Sequence, residues 1–155
     1  MDQRWLTCFF KIASVISEQS RCQRAKVGCV LVRDKRIVSV GYNGVMRGTN
    51  KHCDDGGCIL DHTGSHCISL HAEANSIASA AQIGVSTEKT TAVVTLEPCI
   101  NCVQLLVNAG VNKIYFNRYY KPKGENKYFS DKTLLELLVN QKQVDIMDFW
   151  NYVEC

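Results

Sequence analysis

His71-Ala72-Glu73-Ala74-Asn75 and, further along, Thr95-Leu96-Glu97-Pro98-Cys99-Ile100-Asn101-Cys102 decide how the rest of this chain is read. One imidazole and two thiols make three ligands for zinc, and a three-ligand set leaves the fourth tetrahedral position open to water, as in catalytic rather than structural sites. Cys99 and Cys102 are three apart, so in a helix's first turn both sulfurs fall on one side. Pro98 suits the first helical position, where no N–H is required. His71 and Glu73 are two apart; in mid-helix they would diverge, but from a first turn both can lean over one pocket. Glu73 then stands beside the ion as a proton carrier and not as a ligand. A lone Cys-x-x-Cys would equally suit a redox pair or half of a structural zinc site. The proline before it and the His-Ala-Glu upstream, with a strand-like run between, turn the reading toward a catalytic metal.

Outward from these stretches, helix-like and strand-like patterns alternate. His71 opens a helix running through Ala72, Ala74, Ile77, Ala78 and Ala81 to Gly84, a C-terminal glycine. Residues 90–96 form a β-branched strand that delivers Cys99, and a helix over 98–109 ends at Gly110. Upstream, residues 3–20 predict a helix capped by Asp2, with Trp5, Phe9, Ile12 and Ile16 on its apolar stripe beside Leu6, Phe10 and Ala13. Residues 27–32 and 37–40, joined by the charged turn 33–36, predict a hairpin, followed by Gly41-Tyr42-Asn43-Gly44 as a ligand-facing loop. Downstream come a strand at 113–117, a loop holding Tyr119 and Tyr120, a helix at 131–140, a strand near 144–147 and an aromatic tail at 149–152. This order predicts an α/β fold of three layers, α/β/α, around a central five-stranded mixed sheet, with residues 1–155 as one domain and the metal site built from two helix N-termini.

Residues 44–70 carry no periodic pattern, and a loop of that length needs something to order it. Cys53, Cys58, His62, His66 and Cys67 lie within it and Cys22 upstream, enough for a second, structural zinc. Spacing does not select four ligands among them, and simply buried side chains are the alternative. Nine cysteines in 155 residues do not resemble a secreted disulfide framework, and the apolar stretch at 5–16 contains Lys11 and is too short to span a bilayer. The expectation is a cytoplasmic protein with no membrane partner. A net charge of +3 gives little sign of a nucleic-acid partner.

Taken together, Cys22, Lys26-Val27-Gly28, Gly41-Tyr42-Asn43-Gly44, the Cys/His-bearing insertion, His71-Ala72-Glu73-Ala74-Asn75 and Pro98-Cys99-Ile100-Asn101-Cys102 make the chain resemble the zinc-dependent cytidine and deoxycytidylate (dCMP) deaminases along nearly its full length. The resemblance implies a cytidine-deaminase-like fold and hydrolytic deamination of dCMP to dUMP and ammonia, supplying dUMP for thymidylate synthesis. It implies that His71, Cys99 and Cys102 hold zinc and that Glu73 shuttles the proton. Asn43, Ala72 and Tyr120 are implied at the substrate, Asn43 facing the sugar and Tyr120 stacking on the pyrimidine. An ordinary loop aromatic is the other reading of Tyr120. Gly41, Tyr42, Asn43 and Gly44 match an allosteric motif for the activator dCTP and the inhibitor dTTP, with Mg2+ on the triphosphate, in a homo-hexamer. Met46 stands where family members often place proline.

Two other readings stand beside this one. Thr95-Leu96-Glu97-Pro98-Cys99 is equally like tRNA adenosine deaminases, which usually run directly from the second strand to the His-Ala-Glu helix; this chain inserts 26 residues between Gly44 and His71. The other is a zinc-stabilised binding module without turnover, which has no use for Glu73 beside an open coordination position. A 5′-phosphate would require cationic or N–H donors; Arg24, Lys26, Arg47, Arg118 and Lys121 are candidates that the sequence does not rank.

Overall fold

The computed structural model describes residues 1–62, 67–119 and 145–148. Helix α1 (Gln3–Ser17) begins as expected, the Asp2 carboxylate accepting from the Trp5 N–H at 3.0 Å. It ends three residues short of the expected boundary. The N–H groups of Glu18, Gln19 and Ser20 bond to Val15, Ile16 and Ser17, tightening the last turn to the i→i+3 pattern that winds a helix down. Its buried face is Leu6, Phe9, Phe10, Ala13 and Ser17; Trp5, Ile12 and Ile16 flank it half-buried.

Strands β1 (Gly28–Arg33) and β2 (Arg36–Tyr42) form the hairpin. The turn is tighter than the four-residue loop expected: Asp34 and Lys35 alone connect the strands, both at positive φ (52° and 62°), as a twist-matched two-residue hairpin requires. Helix α2 (Ala72–Gln82), strand β3 (Thr91–Val94), helix α3 (Ile100–Asn108), strand β4 (Lys113–Phe116) and strand β5 (Asp145–Asp148) follow. The sheet order is β2-β1-β3-β4-β5. Strand β1 is antiparallel to both neighbours, whereas β3, β4 and β5 run parallel. This is the expected five-stranded mixed sheet. The helix expected at 131–140 and the aromatic tail lie outside the described residues.

Alternation along the strands builds two cores. Val30, Val32, Val93 and Tyr115 pack with Leu6, Phe9, Phe10 and Ala13 of α1. Cys29, Leu31, Ala92, Val94 and Ile114 face the other way, against Ala72 of α2 and Val103 and Leu106 of α3. Strand β1 is buried on both faces, so its sequence is a continuous apolar run and not an alternating one.

Two glycines set how closely the helices approach. A Cβ at Gly28 would lie 2.0 Å from the Ala13 carbonyl oxygen, and one at Gly41 would lie 2.3 Å from the Ala72 carbonyl oxygen and 2.4 Å from the Ser76 nitrogen. The first glycine of the Gly41–Gly44 stretch is therefore a packing residue within β2, where a loop was expected. It lets the first turn of α2 sit directly on the strand. Gly41→Ala is expected to destabilise the fold by about 1–3 kcal/mol through overpacking, measured by denaturant titration. Unchanged stability would mean that α2 yields at no cost.

Candidate active site and metal centres

Helices α2 and α3 each begin with a candidate metal ligand at the N-cap. His71 (φ −73°, ψ 156°) and Cys99 (φ −70°, ψ 162°) are extended, and neither side chain caps its own helix. Freed from that duty, the two side chains turn toward each other. Pro98 accordingly precedes the cap; the expected first helical position belongs to Ile100. The proline still matters, because it restricts Glu97 to extended backbone as the chain leaves β3. That exit comes earlier than expected: Thr95 bonds back to Gly28 through its N–H and its Oγ1, and the Glu97 N–H donates to the Arg118 carbonyl at 2.8 Å.

His71 Nδ1 lies 3.5 Å from Cys99 Sγ and 3.3 Å from Cys102 Sγ. Zinc–sulfur and zinc–nitrogen distances of about 2.3 and 2.0–2.1 Å at a tetrahedral angle put such atoms about 3.5 Å apart. The residues thus fit zinc without rearrangement. Burial is graded, with Cys102 buried, Cys99 intermediate and His71 exposed, so the set opens toward solvent on one side. Glu73, in the first turn of α2, is 3% exposed and lines the same cavity as Asn43, His71, Ala72, Leu96 and Cys99.

Electrostatics follow the geometry. Hydrogen bonding with Cys102, then with His71, holds the Cys99 thiol down to about 4 against the opposing effect of burial. Cys102 is pushed far up, by Cys99 first and then by burial. Hydrogen bonding with Cys99 raises the His71 imidazole. One sulfur of the pair therefore ionises and shares the other's proton, and a divalent cation would displace that proton. Burial pushes the Glu73 carboxyl above its ordinary value.

A second sulfur cluster lies nearby. The sulfurs of Cys22, Cys53 and Cys58 all lie within 4.8 Å of one another, and Cys67 Sγ is 3.7 Å from Cys53 Sγ. Two thiolates on one tetrahedral zinc are about 3.8 Å apart. His62 is exposed and outside this group, and His66 lies outside the described residues. Burial pushes the Cys53 thiol up to about 12. Cys67 goes the other way: burial would raise it, but hydrogen bonding from Ser69, Cys53 and Cys58 prevails. The insertion closes at its base, where Gly44 and Leu70 exchange backbone hydrogen bonds at 3.1 and 2.8 Å. An excursion of that length thereby returns the chain to His71 without displacing it.

The model of the cytidine and deoxycytidylate deaminase zinc-binding region matches residues 3–118. The chain belongs to this deaminase family. It is 31% identical over 150 residues to the deoxycytidylate deaminase of Enterobacteria phage T4, covering 73% of this chain and 78% of the phage protein. Identity to the ComE operon protein 2 of Bacillus subtilis is 36% over 118 residues, and to the deoxycytidylate deaminase of Saccharomyces cerevisiae 31% over 131 residues. Those matches take in 76% and 81% of this chain but only 61% and 41% of the two relatives. Among solved structures, the dCMP deaminase of cyanophage S-TIM5 in complex with dCMP and dUMP superposes with a TM-score of 0.74 at 26% identity, over 96% of this chain and 98% of that one. A tRNA:A34 deaminase shares the fold at a TM-score of 0.55 and 22% identity.

In this family member the expected site residues fall into three groups. His71, Glu73, Cys99 and Cys102 converge. Asn43 and Ala72 line the cavity, but the Asn43 carboxamide is already employed: Oδ1 accepts from the Val27 N–H at 2.8 Å and Nδ2 donates to the Ala25 carbonyl at 2.9 Å. One Nδ2 hydrogen remains for a ligand. Tyr120 lies outside the described residues. Of the Gly41–Gly44 stretch, Gly41 and Tyr42 belong to β2, and Tyr42 is 43% exposed. No pattern in the sequence points to Ser20, whose buried Oγ donates to the Asn43 carbonyl at 2.7 Å. Asn75 belongs to the quoted His-Ala-Glu stretch, but its role shows only in the fold: its Nδ2 donates to the Tyr42 carbonyl at 2.8 Å and ties α2 to the end of β2.

Proposed function

We propose that the chain is a zinc-dependent hydrolase that converts dCMP to dUMP and ammonia, acting as one domain. The observation that carries this reading is a buried glutamate on the wall of a cavity shared with a three-ligand zinc set. Zinc held by His71, Cys99 and Cys102 would supply a water whose pKa falls to about 7, a nucleophile at neutral pH. Glu73 takes the proton from that water and delivers it to ring nitrogen N3, making C4 electrophilic. Once the water's oxygen has bonded to C4, Glu73 takes the remaining hydroxyl proton and passes it to the exocyclic amine, so that the C4–N bond breaks, ammonia leaves and the C4 carbonyl of dUMP forms. Burial favours this double duty, since raising the Glu73 carboxyl above its ordinary value brings its protonated and ionised forms closer in free energy near neutral pH. Cys102, fixed in the first turn of α3, and His71, at the cap of α2, hold the two helices at the spacing the reaction needs.

The four sulfurs of Cys22, Cys53, Cys58 and Cys67 are assigned to a second, structural zinc that orders the insertion. Thiolates given over to metal suit a reducing compartment such as the cytoplasm; among the described residues no helix is long and apolar enough to cross a membrane. We carry over activation by dCTP and inhibition by dTTP with Mg2+, in a homo-hexamer. The support is the Gly41–Gly44 match and the Asn75 bond, which joins the end of β2 to the helix bearing Glu73.

Ammonia release from dCMP, deoxycytidine and an RNA anticodon stem-loop, with dCTP or dTTP added to the dCMP arm, tests the whole reading. The expected result is turnover of dCMP well above deoxycytidine, none of RNA, and a saturation curve that becomes hyperbolic with dCTP and more sigmoidal with dTTP. Equal rates on nucleotide and nucleoside would exclude a nucleotide-specific enzyme; a curve unmoved by either effector would remove the regulatory assignment alone.

A further inference from the structure

We propose that Cys67 and Cys53 are an oxidation site: hydrogen peroxide entering through the catalytic cavity joins their sulfurs in a disulfide, and a nucleotide in the cavity shields them. The observation behind this is a wall that two sites share. Cys22 and Cys67 line the catalytic cavity together with His71, Glu73 and Cys99. The same two residues belong to the second sulfur cluster, where Cys22 lies within 4.8 Å of Cys53 and Cys58 and Cys67 Sγ lies 3.7 Å from Cys53 Sγ. Cys53 is 3% exposed and does not line the cavity. A small solute therefore reaches the cluster by the substrate's route and meets Cys67 before Cys53. Of the two wall cysteines, Cys67 is half-buried and Cys22 buried, so Cys67 is the more accessible.

The pair is held in place from two separately anchored segments. Cys67 is bridged to Leu60, and the Ile68 N–H donates to the Ile59 carbonyl at 2.9 Å. Cys53 opens a turn in which its carbonyl accepts from the Gly57 N–H at 3.1 Å. Arg21 pins that turn through Asp54 and Asp55 at 2.7 and 2.9 Å. The two sulfurs are already in contact, and side-chain rotation closes them to the bonded distance of about 2.05 Å.

The Cys67 sulfur attacks one peroxide oxygen, the O–O bond breaks, and Cys67 becomes a sulfenic acid as water leaves. The Cys53 sulfur then attacks the Cys67 sulfur, the S–O bond breaks, and a second water leaves with the remaining thiol proton. Two thiols lose two electrons between them, and one hydrogen peroxide is reduced to two waters. The step needs no metal, but a zinc ion held by the four sulfurs would lose two ligands in it. Ser69, which hydrogen-bonds the Cys67 sulfur and also lines the cavity, follows Cys67 toward Cys53. His71 is insulated from this shift, because Leu70 is tied to Gly44 by two backbone hydrogen bonds. Oxidation thus reshapes the binding wall and spares the ligand set at His71.

The test uses the full chain with its metals, carrying Cys8→Ser and Cys155→Ser; Cys8 is exposed on α1 and Cys155 lies outside the described residues. Hydrogen peroxide is added with and without dUMP at about ten times its Kd, and proteolytic peptides are mapped by mass spectrometry. The expected product is a peptide pair joined through Cys53 and Cys67, lighter than its reduced halves by two hydrogens and reversed by dithiothreitol. With dUMP present it should form about tenfold more slowly. The KM for dCMP should rise about tenfold, the worth of about one hydrogen bond, with kcat within about twofold. A disulfide from Cys67 to Cys58 or Cys22, or Cys67 driven to sulfinic acid with Cys53 still reduced, would overturn the proposal. A rate unmoved by dUMP, in protein that calorimetry shows to bind it, would overturn the cavity as the route. The shielding arm rests on the proposed dCMP activity: protein that binds no dUMP overturns that reading and the shielding with it, and the peptide map alone then decides the disulfide.

Discussion

Glu73→Gln is expected to lower dCMP turnover by roughly 10²–10⁴-fold, the range for removing a positioned acid–base group, while zinc content and fold are retained. The substitution is chosen for its shape. Glu73 is 3% exposed, packed in the first turn of α2 beneath the cavity, and glutamine fills the same volume. What it cannot do is accept the water's proton or return one, and the proposed reaction uses Glu73 for both. The upper part of the range is therefore the expectation. Glu73 makes no contribution to the metal's ligand set, so metal analysis should find the ion still bound. The loss should appear in kcat more than in KM, because binding of the sugar and phosphate does not pass through the carboxylate. A variant that kept near-wild-type kcat with full zinc would falsify the proton-shuttle role and leave water activation to the metal alone.

How much of this was visible in the sequence depends on the range over which each feature is determined. The convergence of His71, Cys99 and Cys102 was legible because zinc chemistry constrains residue type as well as spacing: one histidine and a Cys-x-x-Cys admit few arrangements that share an ion. The hairpin and the central strands were legible because β-branched runs at 27–32 and 90–96 have few alternatives. The ends of elements were not. Cys99, and not Pro98, sits at the α3 boundary because Thr95 bonds to Gly28, 67 residues away in sequence. Gly41 read as part of a loop because nothing local shows that the Ala72 carbonyl will come to rest above it. Asn43 is the most instructive case. The resemblance pointed it at a sugar, and it does line the cavity, yet its carboxamide also clamps residues 25–27. Selection among the cysteines was a tertiary matter too, since Cys22 meets Cys53 only after α1, the hairpin and the insertion have all been placed.

Metal counting carries the second large effect. Wild-type protein is expected to hold about two zinc ions per chain, and Cys102→Ser about one, with dCMP turnover falling to background. Cys102 is the most buried of the three proposed catalytic ligands, and its sulfur lies 3.3 Å from the imidazole. An alcohol there is a poor zinc ligand and too short to restore the distance. Cys53→Ser should also leave about one ion, but the other one. Cys53 is buried and pairs with Cys67 across the insertion, and unlike Cys22 and Cys67 it does not line the catalytic cavity. Its variant should therefore keep measurable turnover while residues 45–62 become the first sites of proteolysis, because the long loop has lost the cross-link that offsets its entropy. The two variants thus separate the centres: one loses chemistry with the insertion intact, the other loosens the insertion with the chemistry present. One zinc in wild type, lost in Cys102→Ser and kept in Cys53→Ser, would show that the four clustered sulfurs are only buried thiols and that packing alone orders the insertion.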